Sequence, residues 1–80
     1  MQKPILFVKA GCPYCTQAIK YLDEHKVGYE KLEVRGQPSV MEELQRVSGQ
    51  TKTPTLVWGE NVLPNFGVEE LEPFLAQQQK

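Results

Sequence analysis

The sequence predicts an α/β fold in which a four-stranded mixed sheet carries helices on both faces. Short apolar runs alternate with stretches whose apolar residues recur at helical spacing, in the order β-α-β-α-β-β-α. A strand, a helix and a second strand at the start imply a right-handed crossover between two parallel strands, which we place at the sheet centre. Two short apolar runs joined by Gly-Glu-Asn imply an antiparallel hairpin beside them.

The first strand and helix flank the two cysteines. The continuous apolar run Pro4 to Val8 is typical of a strand covered on both faces, and therefore of a central strand. From Pro13 to Lys26 apolar residues recur at i, i+3, i+4 and i+7, which predicts a helix with Pro13 at its first position. We expect His25 and Lys26 to complement the dipole at its end, and Gly28 to turn the chain out. The apolar positions are Cys15, Ala18, Ile19 and Leu22.

A second strand and helix follow. Tyr29 to Val34 alternates in polarity as a strand does, and a Gly-Gln-Pro break ends it. Ser39 and Glu42 have the spacing of a capping box, which predicts that a helix begins there and ends at Gly49. Its buried stripe consists of Val40, Leu44 and Val47.

The last third of the chain predicts the hairpin and a third helix. Thr55 to Trp58 and Val62 to Leu63 are the two hairpin strands. The third helix begins near Gly67, but Pro73 lies inside its pattern, so we expect either a start nearer Glu72 or a kink. Its apolar residues are Leu71, Phe74 and Leu75.

Composition excludes several classes of protein. The chain has 80 residues, 40% hydrophobic and 24% charged, which fits one small globular domain over residues 1–80. Nine basic and ten acidic residues give a formal net charge of -1, so we expect neither a nucleic-acid nor a membrane partner. The apolar run Ile5 to Val8 is too short for a signal peptide or a membrane span. We therefore expect a monomeric cytoplasmic protein.

The only two cysteines, Cys12 and Cys15, lie at the junction of the first strand and helix. Cys12 falls at the helix N-cap, where unpaired N–H groups and the helix dipole stabilise a thiolate. Lys9 adds a cation on the same rim. Cys15 lies one turn later on the apolar stripe and should be less exposed. We therefore expect Cys12 to attack a disulfide and Cys15 to resolve the product.

Two other roles for the cysteines stay open at this point. A zinc site needs two more ligands, and His25, the only histidine, is predicted at the far end of the helix, so we expect no metal. Inert core packing of both thiols conflicts with the position of Cys12 before the helix, between Gly11 and Pro13. A reducing cytoplasm favours a transient, catalytic disulfide.

The motifs resemble those of the glutaredoxin family over nearly the whole chain. They are CPYC from Cys12 to Cys15 after FVKAG, Thr53-Pro54, and FGVEEL from Phe66 to Leu71. CPYC is specific for dithiol members of the family, whereas the other two motifs occur more widely. The resemblance implies the thioredoxin fold in its smallest form. It also implies a thiol-disulfide oxidoreductase that reduces protein disulfides or glutathione mixed disulfides.

The resemblance implies a glutathione site as well. It implies a cis bond before Pro54, opposite the CxxC, which leaves the Thr53 backbone to pair with the cysteine part of glutathione. Lys9 would hold the glycine carboxylate, and Tyr14 would shield the sulfur. The γ-glutamyl carboxylate would bind backbone N–H groups at the last helix start, formed by Gly67, Val68 and Glu69.

The chain departs from the family pattern in four places. Phe66 replaces a glycine, Glu69 replaces a shorter aspartate, and Met41 replaces an Arg or Gln of the second helix. Lys52-Thr53-Pro54 stands where the family has Thr-Val-Pro. The departures leave two alternatives to a glutathione-dependent enzyme. One is a redoxin electron donor reduced by a flavoprotein thioredoxin reductase, an alternative suggested by the bulky residue in place of a glycine at Phe66. The other is a non-catalytic module that binds glutathione or bridges an iron-sulfur cluster.

Overall fold

The computed structural model describes residues 3–78, which form one four-stranded mixed sheet and three helices. The chain order βαβαββα and the fold class are as predicted. No helix within residues 3–78 is both long enough and apolar enough to cross a membrane. The strands are β1 (Ile5–Val8), β2 (Glu30–Glu33), β3 (Thr55–Trp58) and β4 (Asn61–Pro64), and the helices are α1 (Pro13–Glu24), α2 (Pro38–Ser48) and α3 (Val68–Gln78).

The strands lie in the order β2-β1-β3-β4. β1 pairs in parallel with β2 and antiparallel with β3, and β3 pairs antiparallel with β4. The central position of β1 is confirmed, but the prediction that both parallel strands are central is wrong. The hairpin joins the sheet beside β1, which leaves β2 at an edge. Exposed Glu30 and Lys31 suit that edge, since a strand covered on both faces would bury them.

Two hydrophobic cores lie on opposite faces of the sheet, and β1 contributes to both. Leu6 and Val8 point to the face covered by α1 and α3, and Phe7 points to the face covered by α2. The first core is completed by Cys15, Ala18, Leu22, Leu56, Phe66, Leu71 and Leu75. The second is completed by Val34 and Leu44. The carboxyl end of β1 is therefore held from both sides where it leads into the cysteine motif.

The ends of α1 and α2 differ in part from the prediction. α2 begins at Pro38 with Gln37 as its N-cap, and no side chain caps it, so the capping box at Ser39 is wrong. Proline at the first position places Ser39 within the first turn instead of before it. Gly49 ends α2 with φ 74°, as predicted. After α1 the chain turns out at Lys26 with φ 56°, and not at Gly28.

α3 begins at Val68, directly after Gly67, and continues through Pro73. The prediction of a start near Gly67 is confirmed, and the alternative start near Glu72 is wrong. Pro73 removes a single backbone donor, while Leu71 and Leu75, both buried, hold the helix against the first core.

Candidate active site

Cys12 is the N-cap residue of α1, as the sequence predicts. Its backbone is extended, and its sulfur accepts a hydrogen bond from the Cys15 N–H at 3.4 Å. The turn from β1 is closed by the Cys12 N–H, which donates to the Lys9 carbonyl at 3.2 Å. Gly11 has φ 84° in this turn, a conformation that favours glycine. This backbone conformation leaves Cys12 half-buried at the N-terminus of α1.

The two thiols have different acidities. Burial alone would raise the pKa of Cys12, but hydrogen bonds from the Cys15 thiol and amide, and then from the Thr53 side chain, outweigh burial and lower the pKa. Burial raises the pKa of Cys15, which is 3% exposed, and the neighbouring Cys12 raises it further. Both cysteines are free thiols. The more exposed sulfur is therefore the better nucleophile near neutral pH.

The segment before β3 faces Cys12 from the opposite side of the site. The Thr53–Pro54 peptide bond is cis, as the resemblance implies. The Thr53 carbonyl lies 3.9 Å from the Cys12 sulfur. Pro54 is buried, and its carbonyl accepts a hydrogen bond from the Phe66 N–H at 3.4 Å. Thr53 is thus brought together with Cys12, and Pro54 follows it across the cis bond.

A cleft of about 300 Å³ adjoins the cysteine motif between α1 and the start of α3. Tyr14, whose side chain is 59% exposed, forms one wall. The cleft brings Tyr14 together with three other predicted site residues, Gly67, Val68 and Glu69. Lys9 is exposed on the loop before Cys12 and does not line this cleft, and neither do the two cysteines, Thr53 or Pro54. Within residues 3–78 no cluster of three or more His, Cys, Asp or Glu is arranged to hold a metal ion.

Residues 5–63 match the family model described as Glutaredoxin. The chain belongs to the glutaredoxin family. The glutaredoxin of Neisseria meningitidis serogroup A is 33% identical over 67 residues, which cover 82% of this chain and 79% of that relative. Glutaredoxin-1 of Gallus gallus is 29% identical over an alignment that covers 95% of this chain and 82% of the relative. Family membership assigns the chain to the thiol-disulfide oxidoreductases in broad terms.

Solved structures agree with this fold. A crystal structure of a thioredoxin-like protein matches with a TM-score of 0.81 and 25% identity, covering 89% of this chain and 97% of that one. A glutaredoxin from Archaeoglobus fulgidus matches with a TM-score of 0.80 and 21% identity, covering 94% and 87% respectively. This glutaredoxin therefore has the thioredoxin fold.

Two of the departures from the family pattern pack in or against the cores. The Phe66 side chain is 3% exposed and packs in the first core, so it forms a wall of the cleft without filling it. Met41, a residue of α2, is half-buried and packs against the second core. Neither side chain projects as an obstacle into the cleft beside Tyr14.

Two carboxylates that contact the site were not predicted from the sequence. Glu70 accepts a hydrogen bond from the Gly67 N–H at 3.3 Å, so one amide of the α3 start already has a carboxylate partner. The position of Glu70 three residues after Gly67, as in a capping box, could have indicated this contact from the sequence. Glu33 accepts from the Ala10 N–H at 3.2 Å and ties β2 to the loop before Cys12. No local pattern reveals this second contact, since it joins residues 23 positions apart.

Proposed function

We propose that this glutaredoxin reduces protein disulfides and glutathione mixed disulfides through Cys12 and Cys15, with glutathione as its electron donor. The observation that carries the proposal is the Cys12 sulfur, which lies at the N-cap of α1 with a lowered pKa and 3.9 Å from the Thr53 carbonyl. We further propose that the protein acts as a monomer in the cytoplasm.

The two acidities support an ordered exchange. The Cys12 thiolate attacks one sulfur of the substrate disulfide and forms a mixed disulfide, while the other sulfur leaves as a thiolate and takes up a proton. Cys15 then loses its proton and attacks the Cys12 sulfur, which releases the second substrate thiol. The product is a Cys12–Cys15 disulfide. Two glutathione molecules reduce it and are themselves joined as glutathione disulfide.

The cleft beside Tyr14 supports glutathione as the small thiol. Its volume of about 300 Å³ lies at the lower end of the range for small-molecule sites. We propose that the Val68 and Glu69 amides at the α3 N-terminus receive the γ-glutamyl carboxylate. The Thr53 backbone would pair with the cysteine part, and Lys9 would attract the glycine carboxylate.

The redoxin alternative requires the bulky Phe66 side chain to alter the proposed glutathione site. Because Phe66 is buried in the first core, its size is explained by packing, and glutathione remains the proposed donor. No feature of residues 3–78 favours the binding module or the iron-sulfur bridge over the enzyme.

Coupled turnover tests the electron donor. NADPH oxidation is followed with a glutathione mixed disulfide or a protein disulfide as substrate, in the presence either of glutathione with its reductase or of thioredoxin reductase. We expect turnover with the glutathione couple and none with Cys12→Ser. Turnover with thioredoxin reductase alone would favour the redoxin, and no turnover with either couple would contradict an oxidoreductase role.

A further inference from the structure

The loop between α2 and β3 carries the side of the site that faces Cys12. It leaves α2 at Gly49, which has φ 74°, and enters β3 at Thr55. Thr53 presents its carbonyl 3.9 Å from the Cys12 sulfur. A segment without regular secondary structure needs other contacts to hold that carbonyl in place.

One side chain in the loop, that of half-buried Gln50, makes three hydrogen bonds. Its Nε2 donates to the Ser48 hydroxyl at 2.9 Å and to the Thr55 hydroxyl at 3.0 Å. Its Oε1 accepts from the Lys52 N–H. The amide thereby uses both of its N–H donors and its oxygen within the loop and its two ends.

The partners of Gln50 are themselves anchored. The Thr55 hydroxyl donates to the Lys52 carbonyl at 2.8 Å, and Thr55 is 0% exposed. The Ser48 hydroxyl donates to the Leu44 carbonyl at 2.6 Å. The N–H and the carbonyl of Lys52, the residue before Thr53, therefore both form hydrogen bonds within a network that is anchored in α2 and β3.

We propose that Gln50 is a positioning residue, which holds the Thr53–Pro54 turn opposite the Cys12 sulfur by joining the end of α2 to the start of β3. The inference rests on the proposed role of Cys12 as the attacking thiol. Gln50 touches neither cysteine, and it acts through Lys52 and Thr53. The Cys12 sulfur lies 3.9 Å from the Thr53 carbonyl, and hydrogen bonding by the Thr53 side chain lowers the pKa of Cys12, so a displaced turn changes the reactivity of that thiol.

Alkylation of reduced Cys12 by iodoacetamide across a pH series tests the role of Gln50. The thiolate displaces iodide, so the rate follows the ionised fraction, and peptide mass spectrometry identifies the modified cysteine. For Gln50→Ala we expect an alkylation rate at pH 7 about threefold to tenfold lower and a midpoint at higher pH, because a displaced turn weakens a hydrogen bond to a partly solvated thiolate without removing it. Gln50→Glu, which keeps the size but loses both N–H donors, should shift the midpoint in the same direction.

Matched variants separate positioning from loss of stability. Thr55→Val removes the hydroxyl of the network and should shift the midpoint, whereas Thr55→Ser retains it and should not. Val47→Ala weakens the second core beneath α2 and should lower the melting temperature without moving the midpoint. Gln45→Ala alters an exposed glutamine of α2 and should change neither.

The results distinguish failure of the positioning role from failure of the proposed function. A lowered midpoint for Cys12 in the unmutated protein that neither Gln50 variant nor Thr55→Val moves would refute the positioning role alone. So would an equal shift in Val47→Ala. An ordinary thiol midpoint in the unmutated protein would refute the proposed function and, with it, the role of Gln50.

Discussion

Replacing Cys15 tests what makes Cys12 reactive. The Cys15 thiol makes the largest of the hydrogen-bond contributions that lower the pKa of Cys12, and the Cys15 N–H adds a further bond at 3.4 Å. Cys15→Ala removes the thiol and keeps the N–H, whereas Cys15→Ser keeps a hydroxyl donor. A hydrogen bond to a charged group contributes about 1.5–3 kcal/mol. Because solvent reaches half-buried Cys12 and replaces part of the bond, we expect a loss of about 1 kcal/mol, or roughly fivefold in thiolate stabilisation.

The thiolate absorbs in the ultraviolet, so a pH titration of each single-cysteine variant measures the pKa of Cys12 directly. We expect Cys15→Ala to have the higher pKa and Cys15→Ser to lie nearer the unmutated protein. Circular dichroism of each variant checks that the helical content of the protein is retained. Equal pKa values for the two variants would refute the role of the thiol and leave the helix N-terminus as the source of the lowered value.

Four further outcomes are expected. Cys12→Ser should abolish all exchange, while Cys15→Ser should lose protein-disulfide reduction and keep mixed-disulfide turnover; the opposite pattern in the coupled assay would reverse their roles. Lys9→Ala should weaken glutathione binding by about 1–2 kcal/mol, and by less at high salt; unchanged calorimetric titrations would remove Lys9 from the site. In urea unfolding, the stability of the reduced protein should rise with pH between the lowered pKa of folded Cys12 and the pKa of the unfolded thiol, because the unfolded chain binds more protons there. Above that range stability should fall, because folded Cys15 retains its proton. Cys12→Ser should lose the rise and keep the fall. Leu44→Ala, at a site 0% exposed, should cost about 2–5 kcal/mol in urea unfolding and leave Cys12 alkylation unchanged; a moved alkylation midpoint would show that the second core acts on the site.

The order of elements could be predicted because it depends on local spacing. β1 and α1 follow from a continuous apolar run and an apolar stripe, each visible within a few residues. The edge position of β2 could not be deduced in the same way, since it depends on which side of β1 the hairpin joins. The failed capping box at Ser39 has a local cause, because Pro38 takes the first helical position and moves the helix start.

In the site, too, residues whose roles follow from local spacing were predicted, and residues that depend on tertiary contacts were missed. Cys12 and Cys15 were predicted because their roles follow from their spacing and their place at the start of α1. Gln50 was missed because its three bonds form only when the loop folds back between α2 and β3. Glu33 was missed because its partner Ala10 is brought near by the parallel pairing of β1 and β2.

The two free edges of the sheet also affect how the protein meets its partners. β2 exposes Glu30 and Lys31, and β4 ends at exposed Pro64, which has no N–H to donate. Charges and proline on edge strands oppose the addition of a strand from another chain. An unfolded or extended chain is thus discouraged from adding a strand to the sheet and from seeding aggregates there. Cys12 lies away from both edges, at the start of α1 after the central strand β1.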